Sequence, residues 1–383
     1  MPSSDITDVV SAGLCCGCGT CVAVCPTDAI GMTETPFGAL LARVSEADCS
    51  SCGLCLEVCP GAGLPDGLLD PRVDPFKGEV VAAFTGHAQD KALRKEAQSG
   101  GVVSALLHYL LYAGRIEQAL VTQMPEDGSL RPRPVMARDE GAISRACGSK
   151  YCPVPLNVKL DEVTRMTAFV GLPCHVHGLR KAIEAGRCDS PALVIGLICD
   201  RTLAYSAMDY LISMAAVERE GVESLRFRHK SWRGWPGDTL VRTADGVQHW
   251  LPNRVRLQAK DSFTLGACRL CFDKMNVLAD LVVGDAWGVD EDTNGLSAIL
   301  ARTKRGREML VAAATAGAIT VDVEPAAAIF AGQAVETKRL GWTAFCAAWE
   351  RRGRRVPHFG IVDRWRAELS GVSLEPYARK LSW

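Results

Sequence analysis

From residue 79 onward the chain alternates short β-branched runs with amphipathic segments. EVVAAFTG (79–86), a β-branched and aromatic run closed by Gly, predicts the first strand of a large domain. After Gln98-Ser99-Gly100-Gly101, apolar Val102, Val103, Leu106, Leu107, Leu110 and Leu111 recur at helical spacing up to Gly114, which predicts a helix. QALVTQM (118–124) predicts a strand, and the Pro-rich RPRPVM an exposed extended segment. MTAFVGLPCHVHGLRKAIEAG reads as strand, tight turn and helix in order, and ALVIGLICD (192–200) repeats the strand and turn. Residues 222–258 are rich in strand and turn signals, and ADLVVGDAWG reads as a further strand. Strand, turn and helix in alternation predict an α/β domain whose functional turns sit at the carboxyl ends of strands.

The first sixty residues follow a different pattern, that of cysteine. C-x₂-C-x₂-C-x₃-C-P occurs twice, as Cys15, Cys18, Cys21, Cys25, Pro26 and as Cys49, Cys52, Cys55, Cys59, Pro60; 49 minus 15 gives a period of 34 residues. Thiolate is a soft ligand suited to iron and sulfide, and this spacing lets three sulfurs in one loop converge on one cubane while the fourth serves the other. Cys15, Cys18, Cys21 and Cys59 are therefore expected to hold one [4Fe-4S] cluster, and Cys49, Cys52, Cys55 and Cys25 a second. Gly17, Gly19 and Gly53 lie between ligands, where a loop wrapped round a cofactor needs unusual backbone, and Cys16 is an extra thiol. Zinc ribbons do not need a fourth Cys followed by Pro in each run, and a disulfide framework would imply export.

Composition bounds the rest. At 383 residues the chain exceeds one ordinary core, and 48% hydrophobic with 23% charged residues is the balance of a soluble globular protein. Lys+Arg 43 against Asp+Glu 44 gives no global field for nucleic acid or an anionic membrane. MPSSDITDVVSAG has neither a basic nor an apolar leader region, and GVVSALLHYLLYAG is too short to span about 30 Å of hydrocarbon. Seventeen Cys without an export signal imply a reducing compartment, so the expected location is the cytoplasm, with any membrane contact made through a partner. The expected organisation is an α+β ferredoxin-like two-cluster module (1–62), a Pro/Gly linker over the surface (63–78) and an α/β domain (79–383).

Within the large domain, Ser99 is a good helix N-cap, and Gly100 and Gly101 in the first turn offer backbone N–H groups to an anion; a merely well-capped helix has the same signature. Gly148-Ser149-Lys150-Tyr151 presents a cation and an aromatic ring from a turn. Cys174 and Cys199 each end an apolar strand, and Cys268 and Cys271 form a C-x₂-C loop, so three loops can bring four thiolates together for a cubane or for zinc. Cys147, Cys152, Cys188 and Cys346 have no assigned role, no catalytic residue is assigned, and Arg351, Arg352, Arg354 and Arg355 read as a solvated helix face.

QSGGVVSALL, GSKY, FVGLPCHVHGLRK, IGLIC and CRLCFDKMNVLADLVVGDAWG together resemble the family of coenzyme F420 hydrogenase/dehydrogenase beta subunits, in the version with an N-terminal two-cluster ferredoxin domain. The resemblance implies an FAD- and [4Fe-4S]-binding α/β domain, with cluster ligands at Cys174, Cys199, Cys268 and Cys271. It also implies a flavin phosphate site at Ser99, Gly100 and Gly101, with Lys150 near the flavin. It implies an oxidoreductase exchanging electrons between coenzyme F420 and clusters or ferredoxin, with a redox protein as partner. The alternatives are a ferredoxin-dependent reductase of a small organic substrate and a non-catalytic relay subunit. FAD suits the junction because it exchanges two electrons with a hydride donor and single electrons with a cubane. No G-x-G-x-x-G follows a predicted strand, which argues against an ordinary dinucleotide site.

Overall fold

The computed structural model describes residues 5–289 and 292–381, so the first four residues of the N-terminal unit and the last two of the chain lie outside the description. The N-terminal unit contains a hairpin, β1 (Ile30–Glu34) antiparallel to β2 (Leu40–Val44), between the two cysteine runs. The large domain is built on an eight-stranded sheet, which uses β3 (Ala82–Ala88), β4 (Gln118–Gln123), β5 (Arg133–Ala137), β6 (Thr167–Gly171) and β7 (Leu193–Leu197). Strands β8 (Val222–His229), β9 (Asp238–Thr243) and β10 (Gln248–Leu251) form a separate antiparallel sheet. The main sheet resumes with β11 (Leu281–Asp285), β12 (Ser297–Ala301) and β13 (Ile319–Val323), in the order β13-β3-β12-β11-β7-β6-β4-β5.

The four strands β11, β7, β6 and β4 run parallel at its centre, and antiparallel strands flank them, so the architecture is mixed α/β. Both faces of β6 and most of β7 are buried, as expected for parallel strands covered on two sides. RPRPVM is extended, as its prolines suggested, but mostly half-buried: residues 133–136 lie in the edge strand β5, where Pro134 faces Thr122 of β4 and no further strand needs its missing N–H. The arginine run is also displaced from expectation. The helix Val335–Glu350 ends before it, and Arg352, Arg354 and Arg355 lie in the following turn, around Gly353 with φ +66°. Among the described residues no helix is long and apolar enough to cross a membrane.

The segment expected to pass loosely over the surface is instead fastened. Phe76 is 1% exposed and meets Phe272 and Trp342 edge-on, Leu64 N–H donates to His358 O, and Arg339 pairs with Asp74. One continuous core runs from Leu14 and Val58 through Phe76 to Val176, Leu179, Phe272 and Trp342. The helix Pro173–Glu184 and the 3-10 segment Leu156–Glu162 both pack on the N-terminal unit, each against the short helix Thr20–Ala23. In the first of these, Gly178 faces Thr20 so closely that an added Cβ would lie 2.1 Å from the Thr20 hydroxyl, and Lys181 Nζ donates to Cys59 O (2.6 Å) and Gly63 O (2.8 Å).

Ser99 does not cap the helix Val102–Tyr112. Gly101 holds that place with φ +82°, and the Ser99 hydroxyl donates to Leu296 O at 2.7 Å. Gly100 N–H donates to Ser297 Oγ at 3.0 Å, so it is not an open anion donor; the residue is glycine because a Cβ would lie 2.4 Å from Gly86 O.

In Lys181→Met, two buried carbonyls lose their donor at a cost of about 1–3 kcal/mol each, so limited proteolysis within 61–78 accelerates; an unchanged cleavage rate contradicts the fastening. Gly100→Ala lowers the unfolding midpoint, because overpacking costs about 1–3 kcal/mol, and Gly100→Asp lowers it further, because a buried carboxylate adds its own desolvation. A tolerated alanine would contradict the close approach to Gly86 O.

Candidate functional site

In each N-terminal cysteine run a glycine in the left-handed region, Gly19 (φ 83°) or Gly53 (φ 76°), opens a one-turn helix, Thr20–Ala23 or Leu54–Glu57. That turn swings the next thiols inward. Burial first, and then the neighbouring thiols Cys18 and Cys15, push Cys59 up to about 12. Cys21 is raised by burial and by Cys18, Cys59 and Cys15. Cys15, Cys18, Cys21 and Cys59 therefore face one interior, although Cys59 comes from the other run. Cys25, Cys49, Cys52 and Cys55 line a second small cavity together. Several buried thiols crowded this way ionise readily only beside compensating positive charge, which iron supplies. The donor chemistry and grouping fit two clusters with exchanged fourth ligands. Among the described residues no three His, Cys, Asp or Glu side chains close on a single-ion site.

The third thiol set is assembled by parallel strand ends. Cys174 follows β6 in the first turn of the 173–184 helix, Cys199 follows β7, and Cys268 and Cys271 flank the end of the short helix Gly266–Arg269. Burial and the adjacent Cys268, Cys271 and Asp200 raise Cys199 well above a free thiol. A bond from Cys16 lowers Cys174, but burial and the neighbouring Cys18, Cys199 and Cys268 outweigh it and leave Cys174 at about 11. Cys16 lies beside both Cys174 and Cys18, so the extra thiol sits between the first set and the third. Thr202 N–H donates to Cys268 Sγ at 3.4 Å. The Cys174 turn is held by His175, whose Nδ1 accepts from Leu172 N–H (3.2 Å) and whose Nε2 then donates to Val154 O (2.9 Å); burial lowers its pKa to about 4 and keeps it neutral. His177, two residues on, bonds Asp273 beside the C-x₂-C loop at 2.8 Å.

Cys199 also lines a cavity of about 460 Å³, within the range of small-molecule sites. Ser99, Gly101 and Lys150 line it too, whereas Gly100 lies behind its wall. Lys150 Nζ donates to Cys147 O at 3.2 Å and to Ala146 O, and burial lowers its pKa to about 8. Arg228, Arg256, Lys260 and Lys274 line the same space. Arg228 forms a two-pronged pair with Asp285 (2.8 and 3.0 Å) and bonds the Tyr151 hydroxyl at 3.1 Å, while Trp235 Nε1 donates to Asp285 at 2.7 Å. Arg256 lies over the Tyr151 ring at 4.7 Å, is 6% exposed, and has no partner for its Nε among the described residues. A wall this cationic suits an anionic ligand. Arg228, Arg256 and Lys260 are not marked by any local motif, whereas Lys274 and Asp285 both lie within CRLCFDKMNVLADLVVGDAWG.

Comparison with known proteins agrees with this layout. Residues 83–160 match the family model for the N-terminal part of the coenzyme F420 hydrogenase/dehydrogenase beta subunit, and residues 164–326 match the model for its C-terminal part. Residues 14–62 match a 4Fe-4S dicluster domain. An F(420)H(2) dehydrogenase subunit (Methanosarcina mazei) is 27% identical over 88% of this chain and 92% of its own length. The coenzyme F420-dependent sulfite reductase of Methanocaldococcus jannaschii is 27% identical over 79% of this chain, which spans about half (46%) of that relative's length. A chain of the F420-reducing [NiFe] hydrogenase complex from Methanosarcina barkeri superimposes with a TM-score of 0.56 at 23% identity, over 74% of this chain and 98% of that one, and so shares its fold. An N-terminal 4Fe-4S domain joined to both halves of this mixed α/β architecture makes the chain a member of the family of coenzyme F420 hydrogenase/dehydrogenase beta subunits, which are iron-sulfur oxidoreductases.

Proposed function

We propose that the chain is an iron-sulfur flavoprotein oxidoreductase that passes electrons between coenzyme F420 and [4Fe-4S] clusters or ferredoxin. In this reading Cys15, Cys18, Cys21 and Cys59 hold one cluster, Cys25, Cys49, Cys52 and Cys55 a second, and Cys174, Cys199, Cys268 and Cys271 a third. FAD occupies the 460 Å³ cavity. The partner is a ferredoxin or another oxidoreductase subunit. The units are those expected from the sequence: 1–62, a linker over 63–78, and 79–383.

The observation that carries the reading is Cys199, which belongs to the third thiol set and also to the cavity wall. When bound, a flavin exchanges two electrons with a hydride donor and a cubane accepts them singly. The chain's own part is to place and shield. Arg228, fixed by Asp285, and Arg256 line the cavity as cations for phosphate or carboxylate groups. Gly101 leaves the start of the 102–112 helix open to the cavity, and Lys150 adds a donor at its wall. Tyr151 and Trp287 give flat apolar surface for a ring system.

Anaerobically purified protein, offered reduced F420, NADH, NADPH and reduced ferredoxin separately, should show flavin bleaching with reduced F420. Bleaching with ferredoxin alone would favour a reductase of an organic substrate. Metal analysis should give about twelve irons per chain, four per cubane, and about eight in Cys268→Ala. A value near eight in both would remove the third cluster.

A further inference from the structure

Thr20, Asn157 and Cys18 are brought together from opposite sides of the contact between the N-terminal unit and the large domain. Thr20 and Asn157 are 0% exposed and Cys18 is 6% exposed. Asn157 Nδ2 lies 2.9 Å from His175 O and 2.8 Å from Thr20 Oγ1. A carbonyl only accepts, so the nitrogen end of the amide must face His175. That nitrogen only donates, so the Thr20 hydroxyl accepts from it. The hydroxyl's own proton is then left for Cys18 Sγ, 3.2 Å away.

Asn157 is itself pinned to the cysteine loop, since its backbone N–H donates to Cys18 O at 2.9 Å. Gly178 completes the enclosure: the space a Cβ would take there is filled by the Thr20 hydroxyl. The direction of the bond to sulfur is thus set by a residue 137 positions away in sequence.

We propose that Asn157 is a positioning residue that aims the Thr20 hydroxyl at the Cys18 sulfur and thereby raises the reduction potential of the cluster Cys18 holds. The proposal rests on the cluster assignment given above. Reduction adds one electron and places more negative charge on the sulfurs, and a hydrogen bond donated to sulfur stabilises that state more than the oxidised one. No proton is transferred, because the hydroxyl keeps its hydrogen throughout. Since the same amide holds the carbonyl next to Cys174, the large domain sets the potential of an N-terminal cluster at the point where it also holds its own thiol set.

The test is an anaerobic redox titration followed by EPR, with iron analysis on each sample. Thr20→Val should shift the one-electron equilibrium of one cluster towards the oxidised form about tenfold, a fall of about 59 mV, and leave the other clusters in place. Thr20→Ser should keep the native potential. Asn157→Leu should shift the same cluster in the same direction, and the double variant should fall no further than Thr20→Val alone. Thr20→Val with full iron and native potential overturns the proposal, as does a double variant showing the sum of two independent shifts. If Thr20→Val does not retain iron, Asn157→Leu decides alone: a lowered potential supports the relay and a native one refutes it. Wild-type protein lacking about eight N-terminal irons would instead sink the cluster assignment on which the proposal stands.

Discussion

The helix Pro173–Glu184 has to satisfy three neighbours at once, and the rest of the structure depends on its doing so. Its first turn carries Cys174 into the third thiol set. One face lies against the N-terminal unit, where Gly178 makes room for Thr20 and Lys181 holds the carbonyls of Cys59 and Gly63. A third side ties His177 to Asp273 and stacks its ring on Phe272, which fixes the C-x₂-C loop. A buried ammonium and a buried imidazole–carboxylate pair are stable only with partners in place, so these contacts lock position as well as contribute energy. The glycine is required by the closeness of the approach, not by a bend in the helix.

From that constraint follows the order of parts. Cys199 borders the large cavity, Cys174 sits with it in the third set, and Cys16 bridges from Cys174 to Cys18 in the first set. Cys25, Cys49, Cys52 and Cys55 lie beyond, around a second small cavity, and Cys52 is exposed. The layout runs from a cationic cavity to a thiol set near the surface, an order that suits the proposed passage of electrons between a bound small molecule and a protein partner. The fastening of residues 61–78 makes this layout rigid, where a loose tether would have let the N-terminal unit swing.

What was legible in the sequence is what local spacing encodes. Two cysteine runs of fixed spacing, strands at EVVAAFTG and ALVIGLICD, and the helical spacing from Val102 to Leu111 all follow from neighbours a few residues apart. The thiols Cys174, Cys199, Cys268 and Cys271 were legible because each closes a strand or a short loop. Non-local contacts decided the rest. RPRPVM pairs with β4, Ser99 bonds the Leu296 carbonyl instead of capping a helix, and Gly100 gives its N–H to Ser297. Arg228 meets Asp285 across 57 residues, and Asn157 meets Thr20 across 137, which no local pattern signals.

The central claim is that the third thiol set stands between the cavity and the N-terminal unit. Cys271→Ala tests it most directly, because Cys271 belongs to the third set, beside Cys199, but does not itself line the cavity. Photoreduction of the bound flavin in the anaerobic variant, with cluster absorbance followed over time, measures transfer without depending on the natural donor. The account predicts that the flavin is reduced, the N-terminal clusters are present, and rapid electron transfer to them is abolished. N-terminal clusters reduced at the native rate in that variant would contradict it.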